Sequence, residues 1–311
     1  MSKQKRNPGQ EASETLGWWH AHRFMILRRL SQITVLALFL LTPWLGANWL
    51  GIHLIDGNLS SSRILDTVPM TDPLLALQTL AALHPLRLTA AAGALLVAGL
   101  YWLIGGRTFC SWVCPINPVT DLAGVLRRKL DIRTSHRLPR TARYWLLGLV
   151  LVLPLVTGVL AWEIVNPVSQ VYRGLLFGMG SGWMLIVAIF LFDLLVSQRG
   201  WCGHLCPLGA FYSLIGKASP VKVNASRREQ CDDCMDCYAV CPEPQILPIA
   251  LKPAKGGGPV LNPSVLNKRD CTRCGRCIDV CAKQVFDFQM NIKFSRQAPD
   301  TSRATKRSLA K

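Results

Sequence analysis

Eight of the chain's 12 cysteines lie in two runs near the C-terminus that share one spacing. Each run reads Cys-x2-Cys-x2-Cys-x3-Cys. Two-residue gaps let three thiolates of one loop surround a compact metal cluster, and the fourth thiolate lies about one helical turn further on. The runs comprise Cys231, Cys234, Cys237 and Cys241, and then Cys271, Cys274, Cys277 and Cys281.

This spacing is that of bacterial ferredoxins with two 4Fe–4S clusters, in which the fourth cysteine of each run ligates the other cluster. Zinc is the weaker alternative, because its sites usually combine two Cys-x2-Cys pairs. Disulfides are disfavoured in the cytoplasm. Ala282 replaces the usual proline after the second run, which affects the potential of a cluster there and not its ligation. The spacing assigns Cys231, Cys234, Cys237 and Cys281 to one cluster, and Cys271, Cys274, Cys277 and Cys241 to the other.

Half of the 311 residues are hydrophobic, and the net charge is +17. This composition predicts membrane spans joined to a soluble part. A basic chain can bind nucleic acid, but here the charge flanks apolar segments. The positive-inside rule explains it better, and we expect no nucleic-acid partner.

Four apolar runs predict an α-helical protein of the bacterial inner membrane with four transmembrane helices. Segments 1–29, 105–144 and 200–311 are basic, whereas 51–86 and 162–182 are nearly neutral. The basic segments are expected to stay in the cytoplasm, which places both termini there. The predicted spans are Leu30–Leu50, Leu88–Ile104, Tyr144–Ala161 and Trp183–Val196, the last extended by Phe177–Gly182.

The same patterns divide the chain into four parts. Residues 1–29 form a cytoplasmic segment, disordered and then interfacial around Trp18, and 30–216 form the membrane domain. Within it, Pro73–Leu83 is a re-entrant or interfacial helix. Residues 217–295 form a cytoplasmic α+β ferredoxin-like domain, and 296–311 form a basic tail. Short strands are predicted at Val221–Val223, Ile246–Leu251 and Val285–Phe288, with an inserted loop at Lys252–Pro263.

The four remaining cysteines form a second, repeated pattern, Arg-x2-Cys-x3-Cys-Pro, that follows the second and fourth spans. It indicates a two-helix unit used twice. Cysteines four apart share one face of a helix, so two such faces could hold an iron atom or a further iron–sulfur centre. A redox-active dithiol pair and a structural role are alternatives. His204 is an extra ligand, a proton relay or a bystander. The four cysteines are Cys110, Cys114, Cys202 and Cys206.

The sequence around these cysteines closely resembles that of the NapH family, the membrane ferredoxin-type component of periplasmic nitrate reductase systems. The stretches are 109–117 (FCSWVCPIN), 120–123 (TDLA) and 199–212 (RGWCGHLCPLGAFY). The resemblance implies a quinol dehydrogenase component that acts with a NapG-like periplasmic ferredoxin protein. Electrons from the quinone pool would pass towards periplasmic nitrate reductase, directly or through a NapC-like tetrahaem cytochrome. Since the predicted clusters are cytoplasmic, either these electrons cross the membrane or the clusters serve regulation or another electron donor.

Quinol oxidation needs an apolar slot and a polar group that takes the proton. Candidates on the predicted inner side are Asp193, His204 and Arg199. Asp193 stands in an apolar run, which is costly and often functional in a membrane, although pairing with Arg199 or Arg107 would also explain it. Candidates on the outer side are His53, Asp56, Asp66 and Glu163. The alternative is a non-catalytic membrane anchor or a redox-sensing or maturation protein, as in the wider group that includes NosR and CcoG.

Overall fold

The computed structural model describes residues 7–45, 55–57, 60–64, 67–132, 136, 138–178, 180, 182–251 and 269–290. His53, Asp66, the predicted loop 252–263 and the tail 296–311 lie outside these residues. Asp56 is described by its backbone alone.

The N-terminal segment is helical from Gln10, so the prediction of a disordered start was wrong from that residue onwards. Helix α1 covers Gln10–Leu16, and α2 runs from Trp18 to Leu45. Gly17, with a φ of 87°, separates them. No glycine or proline interrupts residues 18–29, so α2 begins well before Leu30. This early part is held by the C-terminal domain, because the backbone N–H groups of Phe24 and Met25 donate to the Asp279 carboxylate at 3.2 and 3.0 Å.

Apolar helices correspond to each of the four predicted spans. Among the described residues, only Trp18–Leu41 in α2 is long and apolar enough by itself to cross a membrane. Three shorter apolar helices are α4 (Leu88–Ile104), α7 (Ala142–Thr157) and α10 (Gly182–Leu191), the last continued by a π-helical turn, Phe192–Val196. The predicted N-terminal extension of the fourth span was wrong, because α9 ends at Phe177 and α10 begins at Gly182.

The segments between the apolar helices carry more structure than their composition indicates. A three-stranded antiparallel meander follows α2, formed by β1 (Ile55–Gly57), β2 (Ser61–Ile64) and β3 (Val68–Thr71). The helix predicted at Pro73–Leu83 is confirmed as α3, Pro73–Ala81, with Asp72 as its N-cap. Between α7 and α10 lie α8 (Ala161–Val165) and α9 (Pro167–Phe177).

The two Cys-x3-Cys-Pro segments are packed together through glycines. The first comprises α5 (Thr108–Trp112) and α6 (Ile116–Lys129); the second comprises a π-helical turn, Trp201–Leu205, and α11 (Pro207–Ile215). A Cβ on Gly106 would lie 1.7 Å from the Tyr212 carbonyl oxygen, and a Cβ on Gly216 would lie 2.5 Å from the Gly106 nitrogen. Only glycine permits this approach, which brings the first segment against the helix that follows the second.

The C-terminal domain is closed by β4 (Val221–Asn224) and β5 (Asp287–Met290), which pair antiparallel with Val221 opposite Met290. Between them lie α12 (Asp236–Val240), α13 (Leu247–Leu251) and α14 (Arg276–Asp279). The first predicted strand is confirmed, and the third lies two residues later than predicted. The strand predicted at Ile246–Leu251 was wrong: this apolar stretch is α13, one face of which packs into the domain core.

Candidate iron–sulfur sites

The first ferredoxin run and the last cysteine of the second run line one cavity. Cys231, Cys234, Cys237 and Cys281 surround a volume of about 380 Å³, together with apolar side chains that include Phe286. Cys234 is exposed and Cys237 is buried. The backbone N–H of Val285 donates to the Cys281 sulfur at 3.4 Å. Three thiols from one loop and one from the other therefore face a common space.

The complementary set lines a second cavity of about 360 Å³. Its thiols belong to Cys241, Cys271, Cys274 and Cys277. Cys271 and Cys274 are buried. This cavity lies deeper in the molecule than the first, with Val223 of β4 and Leu247 of α13 in its wall.

The two cysteine loops have the same unusual backbone. Asp233 and Met235 adopt positive φ in the first loop (53° and 68°), and Arg273 and Gly275 do so at the equivalent positions of the second (49° and 72°). Non-glycine residues rarely adopt this conformation, and it persists only where the surrounding structure requires it. The repeated turns aim three sulfurs inward, and α12 or α14 then carries the chain to the fourth cysteine. Both cavities thus fit a 4Fe–4S cluster in their donor set, size and loop conformation.

The Cys-x3-Cys-Pro motifs line a third cavity, with a volume of about 420 Å³. It contains all four remaining thiols, two from each motif: Cys110, Cys114, Cys202 and Cys206. Aromatic side chains form much of the rest of its wall, namely Phe109, Trp162 and Trp201. Two sequence segments that are far apart are therefore brought together around one space, as the repeat predicted.

Each motif forms a wide turn and not a regular helix face, so the prediction of cysteines on one α-helical face was wrong. The Cys114 N–H donates to the Phe109 carbonyl at 3.0 Å, and the Cys206 N–H donates to the Trp201 carbonyl at 2.9 Å. Both bonds span five residues, as in a π-helix. The following prolines prevent continuation, and a new helix starts. The Gly209 N–H at the start of α11 donates to the Cys206 sulfur at 3.4 Å.

The four thiols of this third set lie in surroundings that disfavour their ionised forms. In the part of the chain that the structure describes, no three His, Cys, Asp or Glu side chains are arranged to hold one metal ion. None of the twelve cysteines is in a disulfide. Burial raises the pKa of the Cys206 thiol to about 12 and raises the pKa of Cys114 and Cys202. Thiol exchange requires thiolate, which these surroundings disfavour unless a cationic centre compensates.

A buried ion-pair network joins the third cavity to the second. The Arg107 Nη1 donates to Glu243 Oε1 at 2.6 Å, and both side chains are 2% exposed. Arg107 also donates to the carbonyls of Asp270 and Cys202, at 2.8 and 3.2 Å. It therefore contacts the second Cys-x3-Cys-Pro motif and the loop that begins the second ferredoxin run. Arg140 donates to the other Glu243 oxygen at 2.6 Å.

The predicted inner-side residues have different environments. Asp193 is 1% exposed, and its Oδ1 accepts the backbone N–H of Trp201 at 2.9 Å. It thus supports the turn that carries Cys202, whereas its predicted partners Arg199 and Arg107 form ion pairs with Asp121 and Glu243. Arg199 donates to Asp121 at 2.7 Å. His204 is half-buried, and it is not among the side chains that line the third cavity.

On the side predicted to be outer, Glu163 lies in a polar cluster. It accepts hydrogen bonds from Ser60 at 3.0 Å, from Asn166 at 3.2 Å and from Ser169. The sequence interpretation passed over Asp72, which accepts from the Tyr212 hydroxyl at 3.4 Å. Burial, and to a lesser extent Glu163, raises the pKa of Asp72 to about 7. The sequence signal for this residue was the Asp-Pro pair at the start of a helix. That pair predicts that Asp72 caps the helix, but it does not predict that the pKa of Asp72 is raised.

Two family models match the chain. A model described as a 4Fe-4S dicluster domain matches residues 230–285, which contain both ferredoxin runs. A model described as a 4Fe-4S binding domain matches two segments, 86–133 and 177–226, and each contains one Cys-x3-Cys-Pro motif. With the cysteine-lined cavities, these matches define a ferredoxin-type iron–sulfur protein of electron transport.

The curated relatives specify the family. The "Ferredoxin-type protein NapH" of Escherichia coli is 49% identical over 92% of this chain and 96% of its own length. The protein of that name from Haemophilus influenzae is 46% identical, over 95% and 99%. The chain belongs to the NapH family. The "Methylamine utilization ferredoxin-type protein MauN" of Methylorubrum extorquens is 46% identical over 88% of this chain and 91% of its own length. No solved structure matches the chain.

Proposed function

We propose that this chain is the membrane subunit of a quinol dehydrogenase and moves electrons from quinol through three iron–sulfur centres. The observation that carries the proposal is the set of three cavities, each lined by four thiols and similar in volume, within one connected molecule. The two ferredoxin cavities fit the crossed ligation expected from the spacing. A bound 4Fe–4S cluster would supply one-electron chemistry at a potential tuned by charge, hydrogen bonds and exposure.

The third centre is proposed at the Cys-x3-Cys-Pro motifs. Four thiols, a matching volume and a peptide N–H that donates to a sulfur resemble the arrangement in the ferredoxin cavities. Arg107 and Arg143 contribute positive charge near Cys110, which offsets the charge of thiolate ligands. The protein residues would therefore hold, shield and partly neutralise such a cluster.

The membrane arrangement is proposed as four helices, with both termini and the ferredoxin domain in the cytoplasm. The apolar helices support it because they present large exposed apolar side chains, among them Leu95 at 74% and Val156 at 76%. Such surfaces are normally covered, and lipid would cover them. The helices α4, α7 and α10 are shorter than the roughly 20 residues that span a bilayer, so the membrane domain would also use the adjoining turns.

The third cavity lies where segments predicted on the two sides meet, so α8 and α9 would reach into the membrane domain. Its wall combines the cysteine motifs, predicted on the inner side, with Trp162 and Val168 of α8 and α9, predicted on the outer side. Asp72 accepts a hydrogen bond from the Tyr212 hydroxyl, and the Tyr212 ring stacks on Phe109, which lines this cavity, at a centroid distance of 5.1 Å. We infer that quinol is oxidised on this side and that Asp72 or Glu163 takes its proton. Asp193, His204 and Arg199 then act by positioning.

The proposed partners are a NapG-like periplasmic ferredoxin protein and a NapC-like tetrahaem cytochrome on the way to periplasmic nitrate reductase. The relative named for methylamine utilization shows that similar chains carry names from different systems. The proposed electron acceptor therefore rests on the similarity to the relatives named NapH and not on the similarity to the relative named MauN.

The test is quinol-driven reduction of the chain in proteoliposomes, followed by electron paramagnetic resonance. Quinol should reduce the clusters when the NapG-like partner is present, and Asp72→Asn should slow this reduction. No reduction in the presence of the partner, with clusters that dithionite still reduces, would contradict the proposal and favour the membrane-anchor or redox-sensing alternative.

A further inference from the structure

A fourth cavity, with a volume of about 770 Å³, lies apart from the thiols. Its walls come from the start of α1, the first half of α2, helix α6, and the ferredoxin domain beside α12 and α14. We call it the arginine cavity, because five arginine side chains line it: Arg28, Arg29, Arg128, Arg199 and Arg276. The other titratable side chains in its wall are His22, Asp121 and Asp279. Five guanidinium groups therefore face two carboxylates.

The two carboxylates are already occupied by strong donors. Asp121 accepts from Arg29 at 2.5 Å, from Arg199 at 2.7 Å and from Arg276 at 2.6 Å. Asp279 accepts the backbone N–H groups of α2 described above. Asp279 also lies near Arg28, and Asp121 lies near Arg128. Five guanidinium groups against two carboxylates still leave an excess of positive charge in the cavity.

Arg28 is the clearest sign that an acceptor belongs in this cavity. Its side chain is 3% exposed, and its Nε donates to the Phe24 carbonyl at 3.3 Å. Its Nη1 has no hydrogen-bond partner among the described residues. A buried charged donor without an acceptor is costly, and native structures rarely leave one. A ligand bound in the arginine cavity, which Arg28 lines, would supply this missing acceptor.

A second sign is the crowding of like charges. Arg128 is only partly shielded from solvent. This partial desolvation and the nearby Arg199 lower the pKa of the Arg128 guanidinium, and Asp121 offsets part of the effect. An anion between these groups would relieve the repulsion, since opposite charges favour each other most where water is partly excluded.

We propose that the arginine cavity binds a phosphate group, with Arg28 and Arg128 as its donors. Planar guanidinium groups match the oxygens of phosphate and bind them through paired hydrogen bonds. The group is either the headgroup of an anionic phospholipid or that of a small soluble phosphate compound. The position favours the lipid: directly beyond Arg29, α2 becomes an apolar helix with exposed Leu30 and Ile33. Basic pockets at the cytoplasmic ends of membrane helices bind such headgroups.

Phosphate binding at this site is independent of quinol oxidation, and only the lipid source rests on the proposed membrane placement. The proposed phosphate binding and the proposed quinol oxidation can therefore fail separately. The experiment uses the full-length, cluster-loaded protein in a neutral detergent and titrates three ligands by isothermal calorimetry. These are dioctanoyl-phosphatidylglycerol, inorganic phosphate and dioctanoylglycerol, which lacks the phosphate.

The phosphatidylglycerol is expected to bind saturably and the dioctanoylglycerol is not. Arg28→Gln and Arg128→Gln should each weaken binding by about tenfold or more, because a charged hydrogen bond of about 1.5 kcal/mol is lost. Lys129→Gln is the matched control: it removes the same charge from an exposed neighbour on α6 that does not line the cavity. It should stay within about twofold of the wild type.

Arg128 is itself exposed, so its substitution should not disturb folding, and unchanged visible absorption of the clusters would confirm this. Phosphatidylglycerol that binds more than tenfold tighter than inorganic phosphate would identify the lipid as the source. Comparable affinities would identify a soluble phosphate compound. The proposal is overturned if neither phosphate ligand saturates, if Arg128→Gln binds like the wild type, or if Lys129→Gln loses as much as Arg28→Gln.

Discussion

The ferredoxin cavities and the Cys-x3-Cys-Pro cavity contain the same number of thiols but are built differently. Each ferredoxin cavity takes three thiols from one short loop, and the fourth comes from the partner run. The third cavity takes two thiols from each of two distant segments. The ferredoxin sites are therefore largely local, whereas the third site exists only after the two halves of the membrane domain have packed together.

Their surroundings also differ. The first ferredoxin cavity is lined by Asp232, Asp233 and Asp236, and its Cys234 is exposed. No charged side chain of the described residues lines the third cavity, which is walled mainly by aromatic and apolar groups. This difference indicates that the first ferredoxin site is acidic and open to solvent at Cys234, while the third site has an apolar wall. A centre there would exchange electrons only through the protein.

The largest expected effect is the loss of quinol-driven reduction in Cys202→Ala. Removal of a direct ligand should slow reduction of the ferredoxin clusters by at least about 100-fold, beyond the 10–100-fold range found for residues that merely support a ligand. Leu205→Ala, in the same turn but outside the cavity lining, is the matched control and should retain the rate. Stopped-flow absorption in proteoliposomes measures both. An unchanged rate in Cys202→Ala would remove the third site from the electron route.

Crossed ligation predicts a specific pattern of iron loss. Cys281→Ser should disturb the cluster held by Cys231, Cys234 and Cys237. Adding Cys234→Ser to this variant should therefore cause little further loss of iron. Cys274→Ser combined with Cys281→Ser should disturb both clusters, a loss of about 8 iron atoms per chain at four per cluster. Iron analysis of the two double variants makes the comparison. Equal losses in both would contradict the crossed assignment.

The contrast between local and assembled sites also explains what the sequence could predict. The ferredoxin ligand pairing follows from spacing within a few residues, and the structure places the eight thiols accordingly. The packing of the two Cys-x3-Cys-Pro motifs against each other was foreseen from their repetition. Their π-type turns were not, because a four-residue spacing fits an α-helix equally well and the hydrogen bonds that widen the turn depend on the prolines and the local packing.

Long-range contacts account for the other errors. The start of the N-terminal segment was taken as disordered because its composition is polar, but it is helical, and Asp279 accepts the backbone N–H groups of Phe24 and Met25 within α2. Ile246–Leu251 has an apolar pattern too short to separate strand from helix. Asp72 was not among the predicted candidates, and only the packing of α3 against α4 and α7 reveals that it is partly buried.

An intermediate effect is expected at the junction between the second and third cavities. Glu243→Gln would leave buried Arg107 without its charged partner, and breaking a buried pair costs about 3–5 kcal/mol. The exposed pair of Arg228 and Asp233, at 3.8 Å, offers a matched comparison: Asp233→Asn should cost no more than about 1 kcal/mol. Thermal unfolding of the detergent-purified protein reports both. Similar shifts in the two variants would show that the buried network does not hold the domains together.

A pH dependence of stability is expected from Asp72. Its folded pKa is raised to about 7, above the value of about 3.9 in an unfolded chain. The folded state therefore binds the proton more tightly, and stability should fall as the pH rises from about 4 to about 7, by at most about 1.4 kcal/mol per pH unit. Asp72→Asn should remove that slope. A slope that is the same in wild type and variant would assign the effect to other groups.

The iron content of the wild-type chain tests the central claim most directly. Three 4Fe–4S centres predict about 12 iron atoms per chain. The quadruple variant with Cys110, Cys114, Cys202 and Cys206 replaced by alanine should contain about 8, with the ferredoxin signals intact in electron paramagnetic resonance. A wild-type protein that contains only about 8 iron atoms, with the same content in the quadruple variant, would show that the third set of thiols holds no cluster.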